Sequence, residues 1–179
     1  MQPTGRPRFK VCFIRNLDEA QAAIDASAAA LGLVSRMPSG PGVIADDQIA
    51  EIAARVPPGV DTFLLTSLQE IDTIIEQHRA ARTSVLQIVD DLPADGLARL
   101  RAARWAHTIL LDSGNPNLAI KELGGTGRRH DWTISARIRE RLDIPIFLAG
   151  GLNPDNATEA LTTVRPFGLD VCSGGRAVL

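Results

Sequence analysis

The chain has 179 residues, 45% of them hydrophobic and 4% aromatic, with no tyrosine and a formal charge of −2. That is enough for one domain with a real core, but it falls below the ~250 residues usual for an eight-fold barrel. The charge offers no general attraction to nucleic acid or anionic lipid, few rings are present for base stacking, and no apolar run approaches the ~18 residues of a membrane span.

Residues 1–8 read as a short polar tail without the apolar segment of a secretory signal, and 9–179 as a single domain. Phe9 to Ile14 is the first predicted strand. Leu17 to Ala30 follows with apolar residues at helical spacing. Leu31 to Val34 is a second strand, and a Pro/Gly-rich loop leads from Arg36 to a helix ending at Arg55, with Asp46 or Asp47 as its cap. Asp61 to Leu65 is a third strand, and Ser67 with Glu70 has the spacing of a capping box. Ser84 to Val89, a helix from Pro93 to Ala103 and a strand from His107 to Leu111 come next. Asp131 to Leu142 is helical, Pro145 to Ala149 extended, Asn153 to Thr163 helical and Phe167 to Cys172 extended. Strict strand–helix alternation predicts a parallel sheet with right-handed crossovers.

The apolar runs at 146–149 and 168–172 each end on small residues, at Gly150-Gly151 and at Ser173-Gly174. Glycines there let backbone N–H groups approach an anion, and Asn153-Pro154 opens a helix whose positive end points the same way. Two such turns on successive strands predict a phosphate cup. Period-two geometry puts Lys10 and Cys12 on one strand face, and Leu110 and Asp112 on one face of another. An acid inside a buried strand is unusual, so Asp170 is a candidate to line the site, with Lys10 as its ionic partner or as the cation that would favour a Cys12 thiolate. Without more, Cys12 reads equally as a small buried hydrophobe and Asp112-Ser113 as the start of a turn; Cys172 reads as a hydrophobe. Arg128-Arg129-His130 is either a solvated loop or a cover for the substrate. His78, His107 and His130 show no metal-ligand spacing, so no metal and no cofactor are expected.

Lys10-Val11-Cys12, Leu110-Leu111-Asp112-Ser113, Gly124-Gly125-Thr126-Gly127 before Asp131-Trp132, Leu148-Ala149-Gly150-Gly151-Leu152 and Asp170-Val171-Cys172-Ser173-Gly174 occur in that order. Together they resemble the phosphoribosylanthranilate isomerase family of tryptophan biosynthesis. The resemblance implies a (β/α)8 TIM barrel, here apparently lacking one strand–helix unit between the fourth strand and the strand ending at Asp112, and the last helix. It implies an Amadori rearrangement of N-(5-phosphoribosyl)anthranilate, with Cys12 as base and Asp112 as acid. Lys10, Asp170 and Gly125 would bind substrate, and Gly150, Gly151, Ser173 and Gly174 its phosphate.

Three departures bear on specificity. Phe13 stands where the family has glycine, Ser39-Gly40-Pro41 lacks the family's arginine for the anthranilate carboxylate, and Gln87-Ile88-Val89-Asp90 replaces a Q-L-H-G strand end. The alternative is therefore a divergent paralogue that acts on, or only binds, another phosphorylated small molecule. The expected partner is a phosphorylated sugar–aromatic amine, with no nucleic acid and no membrane, in a cytoplasmic monomer or homodimer. If the barrel closes, Cys12 and Cys172 should be neighbours, both reduced.

Overall fold

The computed structural model of the chain describes residues 8–38, 40, 42–102, 109–112, 119, 128–141 and 145–172. Seven strands alternate with six helices: β1 (Arg8–Val11), α1 (Leu17–Asp25), β2 (Ala30–Val34), α2 (Asp46–Arg55), β3 (Asp61–Thr66), α3 (Ile71–Ala81), β4 (Val85–Ile88), α4 (Gly96–Ala102), β5 (Ile109–Leu111), α5 (Trp132–Glu140), β6 (Ile146–Leu148), α6 (Pro154–Val164) and β7 (Gly168–Val171). All strand pairs are parallel, in the order β4-β3-β2-β1-β7-β6-β5. First and last strands pair in the middle of the sheet, which is the connectivity of a (β/α)8 barrel. Among the described residues no strand lies between the edges β4 and β5, and a single helix, α4, links them. The fold is a partial (β/α)8 barrel.

Period-two alternation sorts the side chains of each strand onto two faces. Val11, Leu31, Leu33 and Leu64 pack outward with Ala20, Ala23, Ile49 and Ile52 of α1 and α2. Leu148, Leu169 and Val171 pack outward with Trp132, Ala160 and Val164 of α5 and α6. The opposite face gathers Cys12, Ala30, Val34, Phe63, Leu65, Phe147, Leu110 and Val85 inside the barrel. Gly168 is required there, since a Cβ at that position would stand 2.5 Å from a Phe147 ring carbon. Phe147 makes edge-on contacts with Phe63 and Phe167, each at 5.6 Å between centroids, and closes the interior at its N-terminal end.

Two expected caps take other roles. Asp46 begins α2 without capping it: one carboxylate oxygen accepts from Ser35 Oγ at 2.8 Å and the other from Gln77 Nε2 at 3.0 Å, tying α2 to β2 and α3. Glu70, not Ser67, is the N-cap of α3, and Ser67 Oγ donates to the Arg36 carbonyl instead. Long-range partners outbid local ones at both positions. At α5 and α6 the local signals hold, with Asp131 accepting from Thr133 N and Asn153 from Asp155 N and Asn156 N. The first strand begins at Arg8, within the expected tail, because Arg8 pairs with Gly168.

Candidate active site

β1 and β7 run in register, Lys10 opposite Asp170 and Val11 opposite Val171. This stacks two polar layers in the apolar interior. In the lower layer Lys10 is fully buried, and its Nζ lies 2.7 Å from Asp170 Oδ2 and 3.5 Å from Cys12 Sγ. Phe63 offers its ring face to the same ammonium at 5.3 Å. Such a pair is costly to desolvate, and is tolerated because each charge has the other within hydrogen-bonding distance. Burial alone would lower the Lys10 pKa, but Asp170 and Cys12 together outweigh it and hold the ammonium above its ordinary value. Burial raises the Asp170 carboxyl, Lys10 opposes this, and the charge of Asp112 adds to the rise. Asp170 Oδ1 is buried with no partner.

In the upper layer, Cys12 continues β1 by donating its backbone N–H to the Val171 carbonyl at 2.9 Å, which aligns it with Cys172. Neither cysteine is in a disulfide. Contrary to the expectation from sequence, the adjacency of β1 and β7 does not depend on barrel closure, because the two pair in the middle of the sheet, far from the edges β4 and β5. Lys10 touches Cys12, yet the thiol is not activated in this state. Burial pushes its pKa up to about 12, with Lys10 opposing and Asp170 adding to the rise.

Asp112 directly follows β5, two residues beyond the inward Leu110, and is half-buried. Its charge acts on both Asp170 and His130. Cys12 and Asp170 share the interior face with Leu110, and Cys12 and Asp112 each directly follow the C-terminal end of their strand. Gly150 and Gly151 follow β6 with φ of 88° and 64°, the left-handed region that glycine enters freely. Asn156 Nδ2 donates to the Gly151 carbonyl at 2.9 Å and fixes that turn to α6. The first-turn amides of Asp155 and Asn156 are consumed by Asn153 Oδ1, so the amides left for an anion are those of the glycine turn itself. Gly125, Ser173 and Gly174 lie outside the described residues.

The β1 turn holds the main surprise. Phe13 is buried with φ of 63°, a left-handed conformation in a residue that resists it. Its side chain packs on Gly42, where a Cβ would sit 2.6 Å from Phe13 Cβ. Met37 packs against the same apolar cluster. Arg15, which follows the β1 turn, pairs with Glu19 at 2.6 Å. Arg36 is exposed.

Sequence reasoning missed three contributors. Gly32 on β2 leaves room for the site, since a Cβ there would lie 2.7 Å from Cys12 Sγ and 3.1 Å from Lys10 Cε; glycine inside a strand was the available signal. Gln87, opposite Leu65 on β4, turns an amide into the interior with Oε1 unpartnered. Ser135 of α5 meets His130 Nε2 at 2.7 Å.

A parallel sheet curled into a partial barrel, with a thiol and a carboxylate following the C-terminal ends of β1 and β5, places the chain among the (β/α)-barrel enzymes. The sequence matches the family described as N-(5'phosphoribosyl)anthranilate (PRA) isomerase over residues 9–175. It is 34% identical to an N-(5'-phosphoribosyl)anthranilate isomerase of Natronomonas pharaonis, covering 95% of this chain and 89% of that one. It is 35% identical to that of Haloarcula marismortui, covering 93% and 86%. The crystal structure of phosphoribosyl anthranilate isomerase from Thermotoga maritima superposes with a TM-score of 0.78 at 29% identity, covering 96% of this chain and 90% of that one. The chain belongs to the phosphoribosylanthranilate isomerase family.

Proposed function

We propose that the chain isomerises N-(5'-phosphoribosyl)anthranilate to the corresponding aminodeoxyribulose phosphate, with Asp112 as acid and Cys12 as base. What supports this reading is the place of Cys12 in the interior cluster with Leu110, two residues before Asp112 at the end of β5, beside the buried Lys10–Asp170 pair. A related phosphoribosyl anthranilate isomerase was solved in complex with reduced 1-(o-carboxyphenylamino)-1-deoxyribulose 5-phosphate, at 26% identity and a TM-score of 0.76.

Asp112 gives its proton to the sugar ring oxygen as the bond from that oxygen to C1 breaks, leaving an iminium. Cys12 then takes the proton from C2, and the enolamine becomes the ketone by gaining a proton at C1 and losing one from the C2 hydroxyl. Cys12 acts as a base only once its own proton has left. Lys10, 3.5 Å from Sγ, is the cation that stabilises the resulting thiolate. The Gly150–Gly151 turn, Ser173 and Gly174 bind the phosphate, and Lys10, Asp170 and Gly125 bind the rest of the substrate. No cofactor or metal is needed for this chemistry.

The test is loss of anthranilate fluorescence with substrate generated in situ; no turnover by the folded protein would reject the reading. A second reading, a paralogue using another phosphorylated amine, is favoured by Phe13 and Gly42 occupying the turn region and by Arg15 being paired with Glu19. Mass spectrometry of ligands retained on purification separates the two. Residues 9–179 act as one domain, working in the cytoplasm as a monomer or homodimer, which light scattering of the intact protein would distinguish.

A further inference from the structure

The ladder between β1 and β7 runs one step past the last residue of each strand. Val11 stands opposite Val171, and the Cys12 backbone N–H donates to the Val171 carbonyl at 2.9 Å. In a parallel ladder that bond sets Cys12 directly opposite Cys172. Period-two alternation turns both side chains to the same face, and both belong to the interior cluster, Cys12 within it and Cys172 packed against it. Neighbouring strands lie about 4.8 Å apart, inside the span of roughly 4.4–6.8 Å between Cα atoms that a disulfide bridges. Cys172 lies in a bend after β7, where the backbone can adjust without disturbing the strand. The two thiols differ in access: Cys12 is buried and Cys172 is partly exposed.

We propose that Cys172 is a modification site for small-molecule disulfides, through which Cys12 is locked into a reversible Cys12–Cys172 bond and silenced as a base. The silencing rests on the isomerase reading above; the bond does not. The Cys172 thiolate attacks one sulfur of a disulfide R–S–S–R, forming Cys172–S–S–R and releasing R–S⁻, which takes up the proton that Cys172 gave up. Cys12 then attacks the Cys172 sulfur, forming Cys12–S–S–Cys172 and releasing a second R–SH. Two protein thiols are oxidised and one small disulfide is reduced to two thiols. Burial pushes the Cys12 pKa up to about 12, so the exchange begins at Cys172 rather than at the base. Lys10 Nζ, 3.5 Å from Cys12 Sγ, stabilises the Cys12 thiolate as it attacks, and the strand register makes that second step intramolecular.

The test is treatment of the full chain with oxidised glutathione, followed by mass spectrometry of the intact protein and of its unreduced peptides, with turnover assayed in parallel. The expected product has lost two hydrogen atoms and joins the peptides holding Cys12 and Cys172. Turnover in that fraction should fall on the order of 10²-fold or more, and dithiothreitol should restore it. Cys172→Ala should turn over as the wild type does and keep its activity through the same treatment. A stable glutathione adduct on Cys172 without the bond, two unmodified thiols, or a bond between two copies of the chain each overturns the proposal. A Cys12–Cys172 bond with turnover unchanged rejects Cys12 as the base, and the silencing with it, while the modification site stands. A protein inactive before treatment rejects the isomerase reading, and the masses alone then decide the bond.

Discussion

Two turns at the barrel mouth adopt the same rare backbone conformation for opposite ends. After β6, Gly150 and Gly151 enter the left-handed region with no side chain to strain. After β1, Phe13 enters it at a cost of about 1–2 kcal/mol, and its ring covers Gly42 beside the thiol. A bare turn suits an anion; a covered turn suits an apolar wall and a buried base. The proposed function assigns the chemistry to the β1 side of the mouth and the holding of charge to the β6 side.

Cys12→Ala should sharpen this division most. Turnover should fall about 10²–10⁴-fold, while phosphate affinity, measured by titration calorimetry, stays at the wild-type value. A parallel loss of both would show that the two sides are not separate.

Lys10→Met should leave Asp170 buried and unpaired, costing about 3–5 kcal/mol of stability in urea denaturation. Adding Asp170→Leu should recover most of that loss, and no recovery would mean that Lys10 stabilises by packing alone. Alkaline pH probes the same layer. The Cys12 thiol ionises at about 12 in the fold but nearer 8.5–9 when unfolded. The unfolded chain therefore loses its proton first, and stability should fall as pH rises from about 9 towards 12. Cys12→Ala should flatten that slope, and a slope unchanged by the substitution would place its origin elsewhere.

Phe13→Gly trades relief of the left-handed strain for a lost aromatic worth about 3–5 kcal/mol, for a net destabilisation of roughly 2 kcal/mol. A more stable variant would mean that the ring does not pack as a wall. The smallest effect is expected for Gly151→Asp, where a carboxylate at the anion turn should weaken phosphate binding about tenfold with little change in melting temperature. Unchanged affinity would put the anion elsewhere.

Much of this was open to a reader of the sequence. Alternation in the runs holding Lys10–Cys12, Leu110–Asp112 and Asp170–Cys172 put these residues on common faces, because strand geometry allows only two. Gly150-Gly151 and Asn153-Pro154 announced their turn and cap, since φ > 0 and first-turn amides have few local solutions. The motif order carried the family.

What local rules could not supply is anything depending on which strand lies beside which. Ser35 and Gln77 claim Asp46 from a distance, so an obvious cap is not one. Gly32 has to be glycine because register brings Cys12 and Lys10 across it. Phe13 holds a backbone conformation that no propensity favours, because the loop after β2 leaves Gly42 open beneath its ring. The sequence by itself determined the elements, their faces and the chemically able residues, all set by interactions a few residues long. Only the tertiary structure decided that Lys10 would serve Asp170 as well as Cys12, and that burial would outweigh its charge at the thiol, because desolvation depends on everything packed around a group.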